Sequence, residues 1–409
     1  MTPTRSATDV ERVRPHLPTN RDEDWRYAPV RAITAAVDAA LAEAGRPSHP
    51  NGDALAALLD DLPDGDRVVL VDGRYDPTLS SVAAGGPTVE ADVEPQEVAP
   101  PPFDGFERWN RETTEHVVRV LVVDDGGSDH LLNLVQLTTG AIGPSQPRVE
   151  IHVEATGRID IVETFRSLPG VTFTNATTSL HTAPSGRVDH LVVLEGPVSS
   201  AHVVRTSVVA ADHAHVTVGV AALGDGDGHH RLSVALDGPG AEVTLTGLTV
   251  SSRGTHHDTL ASVRHLASHG TSRQLFASIV ADGARASFTG QVVVAHGTVG
   301  TDADQQNRNL LLGPTARADT RPWLEIHSDE VACTHGATVG RLDDDAVFYL
   351  RSRGIAHREA RTILMRAFAS TLVERLAPSD AVRDWVDRAV TAALDEIVGD
   401  DTTDGEERR

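Results

Sequence analysis

Between about residues 115 and 330, the chain alternates apolar and polar positions in one short run after another. This alternation is typical of a β-strand with one buried face, because successive side chains point to opposite sides. No helical pattern of about 10–15 residues separates the runs, which argues against βαβ units and a doubly wound sheet. The predicted strands are HVVRVLVV, LLNLVQLT, RVEIHVEA, RIDIVETF, VDHLVVLE, HVVRTSVV, HVTVGVAAL, RLSVALD, EVTLTGLTV, ASFTGQVVVA and LEIH.

Turns of small residues come just before several of these runs, and several of them lie roughly 26 to 29 residues apart. They are ATGR at 155, PSGR at 184, GPGAE at 238, DGARA at 282 and GPTARA at 313. This rhythm favours a solenoid, a parallel β-helix in which each coil adds two or three short strands. An antiparallel sandwich or barrel is the alternative, although few Asn-Gly or Asp-Gly hairpin turns join neighbouring runs.

Helical patterns precede the β region. APVRAITAAVDAALAEAG predicts a helix that ends near Gly45, and GDALAALLDDL predicts a second, short one. RVVLVDGRYDP reads as a strand that runs into a turn at Asp72 and Gly73. Trp25 and Tyr27, in DEDWRYAP, are expected to pack against the N-terminal helices rather than to contact a partner.

Three helices are predicted after the β region. DDDAVFYLRSR is a short helix with Gly354 at its C-cap position, HREARTILMRAFASTLVERL is the second, and Ser379 or Asp380 caps the third. The predicted apolar faces are Ile363, Leu364, Ala367, Phe368, Leu372 and Leu376 on the second helix, and Val382, Val386, Val390, Leu394 and Ile397 on the third.

These patterns divide the chain into four parts. Residues 1–100 are an N-terminal helical or mixed domain that includes the proline-rich linker VEPQEVAPPPFDGF. Residues 101–340 are the β-helix core, 341–400 a C-terminal helical domain, and 401–409 a disordered tail.

Charge and composition exclude several functions. The 409 residues carry a formal net charge of −23, which argues against nucleic acids and acidic polysaccharides as ligands. All 36 basic residues are arginines. Without lysine the chain has neither a P-loop for ATP nor a Schiff base for pyridoxal phosphate. Any ATP hydrolysis linked to this protein must therefore be performed by another chain.

The N-terminus shows no signal-peptide pattern, and no segment approaches the roughly 18 apolar residues of a membrane span. A single cysteine excludes an internal disulfide framework. We therefore expect a cytoplasmic protein.

That single cysteine, Cys333, lies two residues before His335 in VACTHGATVG. In a strand both side chains would point to one face, where a thiolate and an imidazole can hold iron–sulfur or zinc. Two donors do not complete such a site, which needs about four. The other ligands must come from elsewhere in the chain or from across an interface. The alternative is a buried thiol beside a hydrogen-bonded histidine.

Histidine is otherwise frequent, with 20 in the chain. The pairs His229–His230 and His256–His257 are expected on turns or outer faces rather than as ligands. His296 and His327 are predicted near Cys333 but outside its site.

The block RPWLEIHSDEVACTHGATVGRLDDDAVFYLRSRGI, with HREARTILMRAF after it, resembles the SufB/SufD family, the scaffold subunits of the SUF iron–sulfur cluster assembly system. Weaker similarities lie in NRDEDWRYAPV, VVLVDGRYDPTLS and PRVEIHVEA. The resemblance is closer to the SufD branch. SufB-type chains carry several cysteines and a glutamate where this chain has Gly336.

The resemblance implies a right-handed parallel β-helix core flanked by N- and C-terminal helical domains. It also implies a non-enzymatic scaffold in a complex with SufB and two copies of the ATPase SufC, which would bind the C-terminal helices. An iron–sulfur cluster would be built transiently at the interface with SufB, with His335 and Cys333 as ligands from this chain. No cluster would be bound stably by this chain alone.

Two other interpretations are compatible with parts of the sequence. A homodimer of the chain in isolation would bring two Cys333–His335 sets together and hold a metal by itself. A β-helical carbohydrate-active enzyme would need paired carboxylates on one strand face. That enzyme would also be expected to be secreted, and the chain shows no signal peptide.

Overall fold

The computed structural model describes residues 16–44, 52–95, 103–114, 116–123, 130–377 and 379–400. The predicted tail, 401–409, and the middle of the predicted proline-rich linker lie outside the described residues. Within the described ranges, the strands form two long sheets that share one interior.

Sheet 1 has ten strands in the order β19-β17-β15-β13-β11-β9-β7-β5-β1-β2. Its strands are β1 (Asp66–Val71), β2 (Arg74–Tyr75), β5 (Leu131–Thr138), β7 (Arg158–Ser167), β9 (Arg187–Leu194), β11 (His215–Ala222), β13 (Glu242–Ser251), β15 (Thr271–Val280), β17 (Thr301–Leu311) and β19 (Val331–Arg341).

Sheet 2 has nine strands in the order β18-β16-β14-β12-β10-β8-β6-β4-β3. They are β3 (Thr88–Val93), β4 (Val117–Val122), β6 (Arg148–Val153), β8 (Thr172–Thr182), β10 (Ser200–Ala210), β12 (Asp227–Leu236), β14 (His256–His265), β16 (Arg285–Val294) and β18 (Arg317–Ile326).

The order of the strands confirms the predicted parallel β-helix. Each coil adds one strand to each sheet, and strands of successive coils pair in parallel, as β11 does with β13. Among the described residues, antiparallel pairing is confined to the N-terminal end: β1 with β2, β3 with β4, and an isolated bridge between Arg67 and Ser81. The antiparallel sandwich or barrel is therefore wrong.

Apolar side chains stack in rows inside the solenoid because the coils pair in register. One such row is Ile159, Val188, Val216 and Val243, each at most 2% exposed. Burying each of these side chains contributes about 1.5–3 kcal/mol. The row therefore holds its four coils together and explains the alternation in the sequence.

Three of the predicted small-residue turns, at 155, 184 and 238, belong to a second row at one corner of the solenoid, whereas those at 282 and 313 precede β16 and β18 of sheet 2. In each coil one residue has φ between 53° and 68°, and its backbone N–H donates to the turn carbonyl of the next coil. Gly and short polar residues suit this left-handed conformation best. The six residues are Thr156, Ser185, His213, Gly240, His269 and Gly300.

The N-terminal helices pack on the solenoid. They are α1 (Val30–Glu43), α2 (Gly52–Ala57) and α3 (Gly105–Thr113), preceded by a 3-10 helix at Glu23–Trp25. Trp25 is buried, and its ring stacks on Phe106 at 5.3 Å and on His229 of β12 at 4.0 Å. The prediction that Trp25 packs internally is confirmed, and the surface it covers includes the solenoid itself.

The three predicted C-terminal helices are α4 (Asp344–Ser352), α5 (His357–Leu376) and α6 (Asp380–Asp400). Asp343 caps α4 by accepting from the N–H of Asp345 at 2.9 Å, and Gly354 follows with φ 88°. Ser379 caps α6, since its hydroxyl accepts from the N–H of Val382.

The apolar face predicted for α6 is confirmed, because all five of its residues are buried. The face predicted for α5 is partly wrong. Leu372 and Leu376 are buried, but so are Met365 and Ala369, whereas Ile363 is exposed. The reason is that α5 lies between sheet 1 and α6 and must bury two sides.

Gly219 of β11 sets how closely α5 approaches the sheet. A Cβ added there would lie 3.0 Å from the carbonyl oxygen of Leu376 and 3.0 Å from Cδ1 of Leu191. We expect Gly219→Val to push the end of α5 outward and to lower the free energy of unfolding by about 1–3 kcal/mol. Urea unfolding measures the loss, and hydrogen exchange of α5 should accelerate.

Gly340→Val is the matched control, because a Cβ at Gly340, also in a strand of sheet 1, has no neighbour within 4 Å. The packing argument fails if both variants unfold at the same urea concentration as the parent protein.

Candidate functional site at the open end of the solenoid

The solenoid ends in an open coil. β18 and β19 are the last strands of their sheets, and no other described element pairs with their outer edges. An unpaired edge presents backbone donors and acceptors to any strand that can approach it. This end is therefore suited to bind another β-structure.

Cys333 and His335 both lie on β19, on the face of the strand that points into the solenoid. They follow Ala303 and Gln305 of β17 in register, and those two residues are 2% and 1% exposed. Because no further coil covers β19, His335 is exposed and Cys333 half-buried. The Cα atoms of residues i and i+2 in a strand are about 6.6 Å apart, so the side chains of Cys333 and His335 can both reach one ion.

The Cys333 thiol packs against the apolar residues of the last coils, among them Val331 and Ala303. Burial raises the pKa of the thiol, the nearby Asp302 carboxylate raises it further, and a backbone hydrogen bond at Ala303 partly opposes both. The resting form is thus the neutral thiol. A metal ion bound here must displace its proton.

The donors at this end fit a shared site better than a complete one. Among the residues that the structure describes, no group of three or more His, Cys, Asp or Glu side chains is arranged to hold a metal ion. A thiol and an imidazole supply two ligands of the kinds that iron–sulfur clusters use. The remaining ligands of any such cluster must come from outside the described residues.

The histidine pairs lie only partly where predicted. His229 and His230 are on β12 and His257 is on β14, and all three are buried. His230 and His257 are on the inward face of their strands, whereas His229 is on the outer face, where the ring of Trp25 covers it. Burial and the neighbouring histidines lower the pKa of His230 to about 3, so its ring is neutral. The expectation of outer faces is therefore correct in face for His229, which is nevertheless buried, and wrong for His230 and His257, because inward positions of the solenoid strands also carry polar residues.

His296 and His327 do come together near the open end, with their ring centroids 4.6 Å apart. Nε2 of His327 is 2.9 Å from a carboxylate oxygen of Glu325.

Sequence reasoning missed two residues next to the Cys333–His335 pair. Asp302 and Gln305 lie on β17, a strand too polar to be predicted from alternation. The length of the coil repeat could have located them, because the residue that stacks beneath His335 lies one coil earlier in the sequence. That residue is Gln305, thirty positions before His335.

A second exposed surface lies on the C-terminal helices. Phe348 and Tyr349 of α4 are 72% and 55% exposed, and Ile363 of α5 is 39% exposed. Phe348 and Tyr349 are neighbours on α4, and α4 packs on α5, which carries Ile363. Contiguous exposed apolar surface is a mark of interaction sites. We refer to these three residues as the helical patch.

The fold and the open end define a class of protein, a parallel β-helix whose last coil carries a cysteine and a histidine on its inward face. The family model described as "SUF system FeS cluster assembly, SufBD core domain" matches residues 136–368. The chain therefore belongs to the SufBD family of iron–sulfur cluster assembly proteins. In the part of the chain that the structure describes, none of the helices has the length and hydropathy of a transmembrane span.

Individual relatives agree. The chain is 32% identical to the iron–sulfur cluster assembly protein SufD of Escherichia coli, over 89% of this chain and 86% of the relative. It is 28% identical to a SufBD family protein of Synechocystis, over 88% and 84%. It is 33% identical to the chloroplastic protein ABCI7 of Arabidopsis thaliana, over 61% and 53%.

Proposed function

We propose that this chain is a non-enzymatic, SufD-type scaffold subunit that pairs with SufB and binds the ATPase SufC. The observation that carries the proposal is the position of His335. It is an inward-pointing side chain on the last strand of the solenoid, exposed because no coil of its own chain covers it. A second β-helix placed end to end would cover it.

The open edges of β18 and β19 are the surface proposed for SufB. Strand addition there would continue both sheets across the interface, and the inward row of β19 would continue into the partner's interior. His335 and Cys333 would then lie at a seam between two chains. The iron–sulfur cluster is cargo at this seam, and each chain contributes part of its ligands.

The helical patch is the surface proposed for SufC, within residues 341–400. α4 packs on α5, and α5 packs on sheet 1. A partner bound to α4 is thereby connected to the solenoid through rigid helices. The chain has no lysine and therefore no P-loop, which is consistent with ATP being hydrolysed by the partner and not by this chain. The domain bounds 1–100, 101–340 and 341–400 remain the proposed division.

Co-expression with SufB and SufC tests the proposal, and two exposed residues separate the two surfaces. Val339, an inward position of β19, is 51% exposed, and Phe348 is 72% exposed. We expect Val339→Glu to lose SufB and keep SufC, because a carboxylate would be buried in the seam. Phe348→Glu should do the reverse. Co-purified partners are measured by gel densitometry.

Both substitutions are on exposed side chains, so each variant should fold as the parent protein does. A chain that purifies without either partner, or variants that lose both partners together, would contradict the proposal. A homodimer on size-exclusion chromatography that persists in the presence of SufB would favour the homodimeric metal scaffold instead.

A further inference from the structure

The inward face of β17, directly beneath β19, carries three amide side chains in succession. Gln305, Asn307 and Asn309 are each at most 5% exposed. At the corresponding positions of two earlier strands the side chains are mostly apolar or small. They are Val218, Val220 and Ala222 on β11, and Leu245, Gly247 and Thr249 on β13. A buried amide without a hydrogen-bond partner costs about 1–3 kcal/mol. Each of the three amides therefore needs a partner.

Two of these amides find partners within the chain. The Asn307 side chain donates to the carbonyl oxygen of Phe276 at 3.3 Å. The Asn309 side chain donates to Asn307 at 2.6 Å and to the carbonyl oxygen of Thr338 at 3.1 Å, while Ser278 donates to Asn309 at 2.6 Å. Asn309 thereby ties β19 to the coil beneath it.

Gln305 is different. Its Nε2 donates to Oε1 of Gln274 at 3.4 Å, while its own Oε1 and the Nε2 of Gln274 are both buried with no partner among the described residues. A carbonyl oxygen held in this way is an acceptor that the resting chain leaves unused.

The residue above Gln305 in the stack is His335. The two pair in register, point to the same side, and belong to strands about 4.8 Å apart. The His335 ring is exposed and makes no hydrogen bond within the described part of the chain. Its N–H can therefore turn toward Gln305 without breaking another contact.

Space for the Gln305 amide comes from Gly290 on the opposite sheet. A Cβ at Gly290 would lie only 1.5 Å from Nε2 of Gln305. The glycine thus allows the amide to lie across the interior beneath the open end, with its position set by Gln274 on one side.

We propose that Gln305 is a positioning residue for His335, whose amide oxygen accepts the N–H of the ring nitrogen that does not bind the metal. The inference rests on the proposed function in one respect, that His335 is a metal ligand. Histidines bound to metals regularly donate their second N–H to such an acceptor, which fixes the tautomer and the ring orientation.

The test uses the purified full-length chain and Zn²⁺ as the probe. Because Cys333 is the only cysteine in the chain, its alkylation by iodoacetamide is measured by mass spectrometry without interference. Zn²⁺ held by Cys333 and His335 protects the thiol. The quantity compared between variants is the Zn²⁺ concentration that halves the alkylation rate.

Gln305→Met keeps the length of the side chain and removes the acceptor, whereas Gln305→Glu keeps an acceptor. We expect Gln305→Met to raise the half-protecting Zn²⁺ concentration about 10-fold or more, and Gln305→Glu to restore protection. The alkylation rate without Zn²⁺ should be equal in the parent protein and in Gln305→Met, whereas a structural disturbance of the last coil would change that rate as well.

Gly290→Ala provides a second route if Gln305→Met fails to fold, because it displaces the amide and leaves the glutamine in place. Unchanged protection in Gln305→Met or Gly290→Ala, with protection lost in His335→Ala, would overturn the positioning role and leave the metal site intact. Unchanged protection in His335→Ala itself would overturn both.

Discussion

Replacing His335 by alanine is expected to reduce the iron and acid-labile sulfide of the complex co-purified with SufB and SufC at least about tenfold. The side chain is exposed on the last strand, so its removal should leave the fold and the partner contacts in place. Only a ligand is lost. Iron and sulfide per complex, measured after anaerobic purification, give the result directly.

His327→Ala is the matched control for this experiment. His327 is also a partly exposed histidine near the open end, and it is bonded to Glu325 rather than directed along the inward row of β19. It should retain the iron and sulfide of the parent complex. Full iron content in an intact His335→Ala complex, or an equal loss in both variants, would remove His335 from the proposed site.

The second large effect concerns the interior, where a carboxylate and an imidazole are buried together. Nε2 of His190 lies 3.1 Å from Glu163, and both side chains are 0% exposed. Glu163 also accepts from Thr178 at 2.7 Å and from Gln136 at 3.2 Å. Glu163→Leu is expected to lower the free energy of unfolding by about 3–5 kcal/mol, because three buried polar groups lose their partner.

Urea unfolding measures this effect, and two further variants interpret it. Glu163→Leu combined with His190→Leu should recover part of the loss, since the buried imidazole is removed as well. Asp387→Ala breaks the exposed pair with Arg366 and should change little. A single Glu163→Leu variant as stable as the parent would show that this pair does not stabilise the fold.

Prediction from the sequence worked best for strands in which one face is apolar and the other is polar. RVEIHVEA begins where β6 begins, and HVTVGVAAL begins where β11 begins. It failed for strands with polar or small residues in both rows, such as β17, whose sequence is TDADQQNRNLL. The strands missed in this way were β8, β14, β15, β17 and β19.

The candidate site shows the same limit. Cys333 and His335 were found because a thiol and an imidazole at i and i+2 are a local pattern. Gln305 and Asp302 were not found, because their relation to the pair depends on the register between coils. The buried pair of Glu163 and His190 was missed for the same reason, since the two lie 27 residues apart in sequence.

The sequence by itself therefore determined the strand-rich centre of the chain, with a rhythm that favoured a solenoid, the helices at both ends, and the two residues that carry potential ligands. These follow from alternation, turn residues and helix caps, which act over a few positions. Only the tertiary structure decided that β19 is the uncovered coil, that His335 is exposed while Gln305 beneath it is buried, and which side of α5 meets the sheet. Those properties depend on residues about thirty positions away brought together by stacking, and no local pattern encodes where a stack of coils ends.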